Sequence, residues 1–233
     1  MNRPVVAHRY AVLRCLGRGA SGTVYLAQDL ETDAYLALKT PVEDHEYHLL
    51  ASFLHPQIPA CYGQIQDGNQ TFLLMEWIRS ETLAHYLERR RRISLNELHQ
   101  ILTQLCTLFQ MLEEREPPIV YPDLHSRNVM RKPDGQLVLI DFGRAYEIAR
   151  EQYDNDAAED VCYCLKTYLA PSLEHATVRN EVRVWCREQS QRAHEGHKSK
   201  VQEFFQEWCV FQARVLSQEE MALVALPLQN PHA

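Results

Sequence analysis

Residues 117–143 read PPIVYPDLHSRNVMRKPDGQLVLIDFG, and the reading of the rest of the chain turns on them. The stretch holds two aspartates, Asp123 and Asp141, with Asn128 between them. Asp123 and Asn128 lie in a loop-like segment. A Pro133-Asp134-Gly135 turn then leads into the apolar run Leu137-Val138-Leu139-Ile140, which delivers Asp141 at its end. Carboxylate and amide oxygens on adjoining loops suit Mg²⁺, a hard cation that keeps part of its own water. They suit phosphoryl transfer better still, where one carboxylate receives the proton of the attacking hydroxyl and others hold metal.

Upstream, residues 9–40 predict three strands, Tyr10 to Leu16, Thr23 to Gln28 and Tyr35 to Lys39. Between the first two sits Gly17-Arg18-Gly19-Ala20-Ser21-Gly22-Thr23-Val24, a G-x-G-x-x-G-x-V. The protein has eight glycines, and three of them stand here. Glycine lets a backbone approach a phosphate closely and bend without steric cost. A lone G-x-G-x-x-G is weak, and the dinucleotide-binding form opens a helix. Here β-type residues follow, so the loop reads as a hairpin lid, with an ordinary glycine hairpin as the bland alternative.

Lys39 ends an apolar strand. Val42 to Leu54 then predicts a helix with Tyr47, Leu50, Phe53 and Leu54 on one face, closed by Pro56 and Pro59. Ala60–Ile65 and Thr71–Glu76 form a hairpin pattern around Gln66-Asp67-Gly68-Asn69-Gln70. A helix is expected from about Glu81 to Arg91, ending in four arginines that suit a helix C-terminus. Ser94-Leu95-Asn96-Glu97 fits a capping box ahead of a core helix that carries Cys106. After Gly143 a short polar segment runs to about Asn155. Helical stretches follow around Asp160–Leu165 and from Val201 to Leu216, where Phe204, Phe205, Trp208 and Phe211 form a stripe best explained as core. Ser217-Gln218-Glu219-Glu220 would cap a last short helix.

Composition bounds the rest. With 233 residues and 45% hydrophobic content, the chain suits one substantial domain or two small lobes sharing a cleft. A net charge of -7 argues against a broad nucleic-acid footprint. Seven cysteines without regular spacing fit reduced thiols, and no run approaches membrane-spanning length. No signal-peptide pattern opens the chain. The expectation is a cytoplasmic protein with neither membrane nor nucleic-acid partner; oligomeric state is not legible.

Taken in order, the glycine loop, the Ala37-Leu38-Lys39 strand, the helix before His55-Pro56, the D-x-x-x-x-N of Asp123 to Asn128 and Asp141-Phe142-Gly143 resemble the protein-kinase signature set. The likeness is closest to bacterial Ser/Thr kinases of the eukaryotic type and covers residues 9–145. It implies an α+β fold, one bilobal protein-kinase-like domain, with a five-stranded antiparallel N-lobe bearing one helix (1–76) and a reduced, mainly helical C-lobe (77–233). It implies ATP and Mg²⁺ as cofactors and a protein substrate or partner. Gly17, Arg18, Gly19 and Gly22 would cover the phosphates. Lys39 would hold the α- and β-phosphates, braced by Glu46 rather than Glu43. Val24, Ala37 and Met130 would sandwich the adenine, with Met75 gating the pocket and Glu76 and Ile78 forming the hinge. Asp123 would be the base, Asn128 and Asp141 the metal ligands, and Asp160 a buttress of the catalytic loop.

Three departures qualify the resemblance. Tyr121-Pro122-Asp123 stands where His-Arg-Asp is usual, so the arginine that meets a phosphorylated activation loop is missing. His125 stands where many protein kinases place a lysine near the γ-phosphate, and Asp-Leu-His resembles small-molecule kinases of the aminoglycoside and choline type. No Ala-Pro-Glu follows, and the segment from Asp141 to Asp160 is short, as in kinases of the RIO and tRNA-modification-complex types. The implied activity is a phosphotransferase acting on Ser/Thr hydroxyls of protein. A pseudokinase interaction module and a small-molecule kinase are the alternatives.

Overall fold

The computed structural model describes residues 3–154 and 157–224, with side chains through residue 217. The chain divides into two units, Met1–Arg90 with Leu112–Tyr153, and Arg91–Met111 with Asp154–Ala233. Its class is α+β: a curled antiparallel sheet, shorter sheets, and six α-helices among the described residues.

In the first unit, runs rich in β-branched, aromatic and leucine residues alternate with turn residues, the pattern that favours strands. They give β1 (Val5–Val6), β2 (Tyr10–Gly19), β3 (Gly22–Asp29), β4 (Tyr35–Thr40), β5 (Cys61–Asp67) and β6 (Gln70–Glu76), ordered β1-β2-β3-β4-β6-β5. Five are the expected strands with ends shifted by a few residues. The two-residue β1 adds an edge by pairing with Tyr10 and Ala11.

Register decides what each face does, because opposed residues in antiparallel strands share a face. Val24, Lys39 and Leu73 form one row, and Leu26, Ala37 and Met75 the next. The opposite face carries an apolar cluster of Val6, Tyr10, Ala27, Leu36, Leu38, Phe72 and Leu74. Burying each of its large aliphatic side chains is worth about 1.5–3 kcal/mol. That cluster anchors the sheet and leaves the other face to Lys39. At the far end of β3, Asp29 accepts hydrogen bonds from Arg9 Nε (2.8 Å) and Nη2 (2.6 Å), the Glu31 amide and the Thr32 hydroxyl. The Arg9 hydrogen bond, first among these, holds the Asp29 carboxyl well below the usual carboxylate range against the opposing effect of burial.

Helix α1 (Asp44–Ala51) is shorter than the predicted Val42–Leu54. Ser52 ends it, its N–H reaching the His48 and Leu49 carbonyls and its hydroxyl donating to Leu49 O. The helix expected from Glu81 also differs. Glu81–Thr82 is a strand, β7, paired with Arg131 and Met130, and α2 covers Leu83–Arg90. The Thr82 hydroxyl accepts the His85 N–H, and Arg91 turns the chain out at φ +63. Arg89 to Arg92 are all exposed, as suits a helix end, and Arg89 pairs with Glu81 at 2.6 Å. β8 (Ile119–Val120), β9 (Val129–Arg131), β10 (Leu137–Leu139) and β11 (Tyr146–Glu147) complete the unit, β10-β9-β7 forming one small sheet and β11-β8 another.

The second unit is helical. α3 (Leu95–Glu114) starts as predicted, Ser94 Oγ accepting the Glu97 N–H at 3.1 Å. Cys106 is buried on it, its thiol pushed up by burial. α4 (Ala157–Cys164) runs into a wide π-turn, and α5 (Ala176–His194) and α6 (Val201–Val224) follow. Trp185, Phe204, Trp208 and Phe211 pack with ring centroids 5.3–5.5 Å apart, so the aromatic stripe is core. Trp208 Nε1 donates to His99 Nδ1 at 3.1 Å, satisfying the buried indole. No helix break occurs at Ser217. The helix continues to Val224, and the Ser217 hydroxyl donates to Ala213 O instead of capping. The seven cysteines are free thiols. No helix among the described residues is long and apolar enough to cross a membrane.

Candidate functional site

Every residue brought together here belongs to the first unit. Asp141 follows β10, whose Leu139 N–H bonds the Gln57 carbonyl, while the Ile140 N–H bonds Asn128 O and Tyr121 donates its hydroxyl to Ile140 O at 2.6 Å. Those bonds hold Asp141 at φ +63, a conformation that costs a non-glycine residue about 1–3 kcal/mol. Phe142 is fully buried beneath it, 5.4 Å from Phe53 and 5.3 Å from Tyr121. Tyr121, in the usual histidine position, is thus a packing residue, and burial pushes its phenol well above its ordinary value. At Gly143 an added Cβ would stand 3.2 Å from Lys39 Nζ and from Ser21 Cβ. A side chain there would push on Lys39 and Ser21 by a few tenths of an ångström.

Lys39 Nζ donates to Glu46 Oε1 at 2.6 Å and to Asp141 Oδ1 at 2.8 Å. Lys39 and Glu46 are 3% and 4% exposed, so the pair is desolvated and depends on good geometry. Burial raises the Glu46 carboxyl above its ordinary value, with Lys39 only partly opposing it. Burial pushes Asp141 up as well, but Lys39's charge and hydrogen bond, the Ser21 hydroxyl and the Gly143 N–H outweigh it and leave Asp141 lowered. Glu43, the alternative partner, is the exposed N-cap residue of α1.

Gly17, Arg18 and Gly19 end β2, and Gly22 opens β3. A Cβ on Gly17 or Gly19 would meet no atom within 4 Å, whereas on Gly22, at φ +124, it would lie 2.9 Å from Thr40 O. Gly22 is therefore fixed by the fold, and Gly17 and Gly19 leave open backbone. Val24, Ala37 and Met75 share the Lys39 face of the sheet. Glu76 ties strand ends together, its N–H bonding Ala60 O and its carboxylate accepting the Ala60 N–H. Ile78 is buried, and Met130 pairs with Thr82 in the small sheet.

The loop between β8 and β9 holds the remaining predicted residues. Asn128 Nδ2 donates to Asp123 O at 3.1 Å and to Asp123 Oδ2 at 3.2 Å. The Asn128 N–H bonds His125 O, and the Arg127 N–H bonds His125 Nδ1 at 3.2 Å, so the ring is oriented by its own loop. His125 Nε2 is 3.9 Å from Asp123 Oδ1.

Three contributors escape the motif reading. Ser21 donates its hydroxyl to Asp141 Oδ2 at 2.7 Å. His45 Nε2 lies 3.1 Å from Gly143 O. Arg144 Nη1 is 3.5 Å from Asp123 Oδ1. The available signals were adjacency alone: Ser21 within the glycine loop, His45 beside Glu46, and Arg144 directly after Gly143. The arrangement joins a buried ammonium, three carboxylates, an amide and an open glycine backbone, a set that can hold polyphosphate and metal and remove a proton.

A family model described as the protein kinase domain matches residues 10–187. The chain is 29% identical over 156 residues to serine/threonine-protein kinase C of Synechocystis sp., covering 58% of this chain and 29% of that one. It is 29% identical over 167 residues to the probable serine/threonine-protein kinase YbdM of Bacillus subtilis, covering 66% and 64%. Against serine/threonine-protein kinase tousled-like 1 of Homo sapiens it is 26% identical over 211 residues, covering 79% and 28%. The chain spans less than two thirds of the length of each of these relatives.

Proposed function

The chain belongs to the protein kinase domain family, and from that premise we propose that it transfers the γ-phosphate of ATP to a serine or threonine hydroxyl of a protein. One observation carries the reading: a buried Lys39 that bridges Glu46 and Asp141, in the same unit as the Asp123–Asn128 loop. A lysine desolvated with two carboxylates is a costly arrangement to keep for stability alone. The names of the relatives support the acceptor class.

Each side chain then has a task. Lys39 neutralises the α- and β-phosphates, and Glu46 keeps it in place. Gly17, Arg18, Gly19 and Gly22 offer backbone to the phosphates, where a side chain at Gly17 or Gly19 would intrude. Val24, Ala37, Met75 and Met130 supply apolar surface to the adenine, and Glu76 and Ile78 form the hinge. Among the described residues no three His, Cys, Asp or Glu side chains form a metal cluster. Mg²⁺ would be held by Asp141 with the Asn128 amide oxygen, a hard-oxygen donor set that fits it. When bound, Mg²⁺ supplies charge neutralisation of the transferring phosphoryl group. Asp123 takes the proton from the acceptor hydroxyl as its oxygen bonds the γ-phosphorus and the bond to the ADP oxygen breaks. Ser21, bonded to Asp141 Oδ2, would orient that carboxylate toward the metal. Free thiols throughout fit a reducing, cytoplasmic setting.

The test is incubation of the purified protein with radiolabelled Mg-ATP and a mixed protein acceptor, read by mass spectrometry for phosphoserine and phosphothreonine. Incorporation that Asp123→Ala removes is the expected result. Equal incorporation by both proteins would sink the assignment of Asp123. Nucleotide binding without turnover on any acceptor would support the pseudokinase reading instead.

A further inference from the structure

Asp123 carries two oxygens with different neighbours. Oδ2 accepts from Asn128 Nδ2, while Oδ1 faces one guanidinium, Arg144 Nη1 at 3.5 Å, with the His125 ring nitrogen Nε2 at 3.9 Å. Lys39 is committed to Glu46 and Asp141. Arg144 is anchored at its backbone and loose at its tip. Gly143 before it packs against Lys39 and Ser21, and Ala145 after it is 1% exposed with its N–H on Phe142 O. The Arg144 side chain, by contrast, is 67% exposed.

A carboxylate that must approach an anionic phosphoryl group suffers like-charge repulsion unless a cation lies between them. A guanidinium suits that place, because its planar fork offers paired donors to phosphate oxygens and it stays charged throughout. We propose that Arg144 is a further catalytic residue, binding the transferred phosphoryl group on the side that faces Asp123. The proposal rests on the phosphotransfer reading above. In the nucleotide-free protein Arg144 rests on Asp123, and with ATP present it moves its charge to the γ-phosphate. Arg144 exchanges no proton: the acceptor hydroxyl proton goes to Asp123, the new bond forms from acceptor oxygen to phosphorus, and ADP leaves with the electrons of the broken bond. His125, restrained by the Arg127 amide, stands beside the same oxygen.

The experiment compares wild type, Arg144→Ala and Arg144→Lys. Calorimetry measures the affinity of each for Mg-ADP and for the Mg complex of a β,γ-imido triphosphate, and turnover is measured on the same acceptor. Arg144→Ala should weaken the triphosphate analogue about tenfold and leave ADP unchanged, with kcat reduced about 10²-fold, the effect of removing one donor to developing charge. Arg144→Lys should recover part of both. Equal changes for ADP and the triphosphate, or a kcat that holds or rises in Arg144→Ala, would overturn the proposal, the last by showing that Arg144 restrains Asp123. If wild type itself binds neither nucleotide, the phosphotransfer reading fails and this role fails with it, a result distinct from a normal wild type with an indifferent Arg144.

Discussion

Lys39 Nζ stands 2.6 Å from Glu46 and 2.8 Å from Asp141 with its side chain 3% exposed, whereas Asp123 meets Arg144 at 3.5 Å, with Arg144 67% exposed and Asp123 28% exposed. The same small site thus contains a desolvated Lys39–Glu46 pair and a half-exposed Asp123–Arg144 one. In the first, geometry is enforced by burial, and any missing partner leaves a charge stranded in a low-dielectric interior. In the second, water can replace any partner, and such pairs contribute little to stability. The donor end should therefore be inseparable from the fold. The Asp123 end should hold chemistry that the fold does not depend on.

The strongest way to break that contrast is at Lys39. Lys39→Met leaves Glu46 buried without its cation, and it should cost about 3–5 kcal/mol of stability as well as turnover. A urea unfolding midpoint unchanged from wild type would show that the pair is not holding the fold. Asp123→Asn sharpens the other side. It should lower turnover by about 10²–10⁴-fold, the usual worth of a general base, while the unfolding midpoint stays within error. A midpoint that falls as far as that of Lys39→Met would erase the distinction.

A third change separates the glycine loop's fixed residue from its open ones. Gly22→Ala drives a Cβ to within 2.9 Å of Thr40 O at φ +124 and should cost about 1–3 kcal/mol. Gly19→Ala meets no atom within 4 Å, so its stability should hold while triphosphate affinity falls. Denaturant midpoints and nucleotide affinities measured on both variants decide the point. Gly19→Ala with unchanged affinity would remove the loop from the phosphates.

Much of this site was legible in the sequence, and the part that was not has a common physical character. Lys39, Glu46, Asp123, Asn128 and Asp141 could be read because backbone elements deliver them: strand ends, a helix face and a loop of fixed spacing. Ser21 on Asp141 and Arg144 on Asp123 are contacts between exposed or half-exposed tips, and nothing in local periodicity marks which tip meets which carboxylate. The fold follows the same rule. The sheet appeared almost strand for strand, since strands and turns are signalled locally. α5 went unread although Val178, Val182, Trp185 and Cys186 recur at helical spacing, because charged residues dilute that stripe and its partners lie elsewhere in the chain. Glu81–Thr82 was misread as helix because its pairing partner, β9, is distant in sequence and local propensity was overruled. Ser217 has a capping residue's chemistry, yet the helix carries on through it.

The smallest expected effect concerns acid, and it places a structural ion pair beside the functional one. Around Lys39 the carboxyls move in opposite directions, Glu46 raised by burial and Asp141 lowered on balance, so their contributions to pH-dependent stability oppose each other. Asp29 is free of that cancellation, being held well below its ordinary range chiefly by the Arg9 hydrogen bond. A carboxyl lowered in the folded state stabilises above its unfolded pKa, near about 4, and loses that stabilisation as pH falls toward the folded value. Asp29→Asn should therefore be less stable than wild type at neutral pH, with the gap closing as pH drops from about 5 to about 2. Urea midpoints for both proteins across that range test this directly. A gap that stays constant into acid would mean that the Arg9–Asp29 contact contributes through its shape and not its charge, and the comparison would then rest on the Lys39 cluster alone.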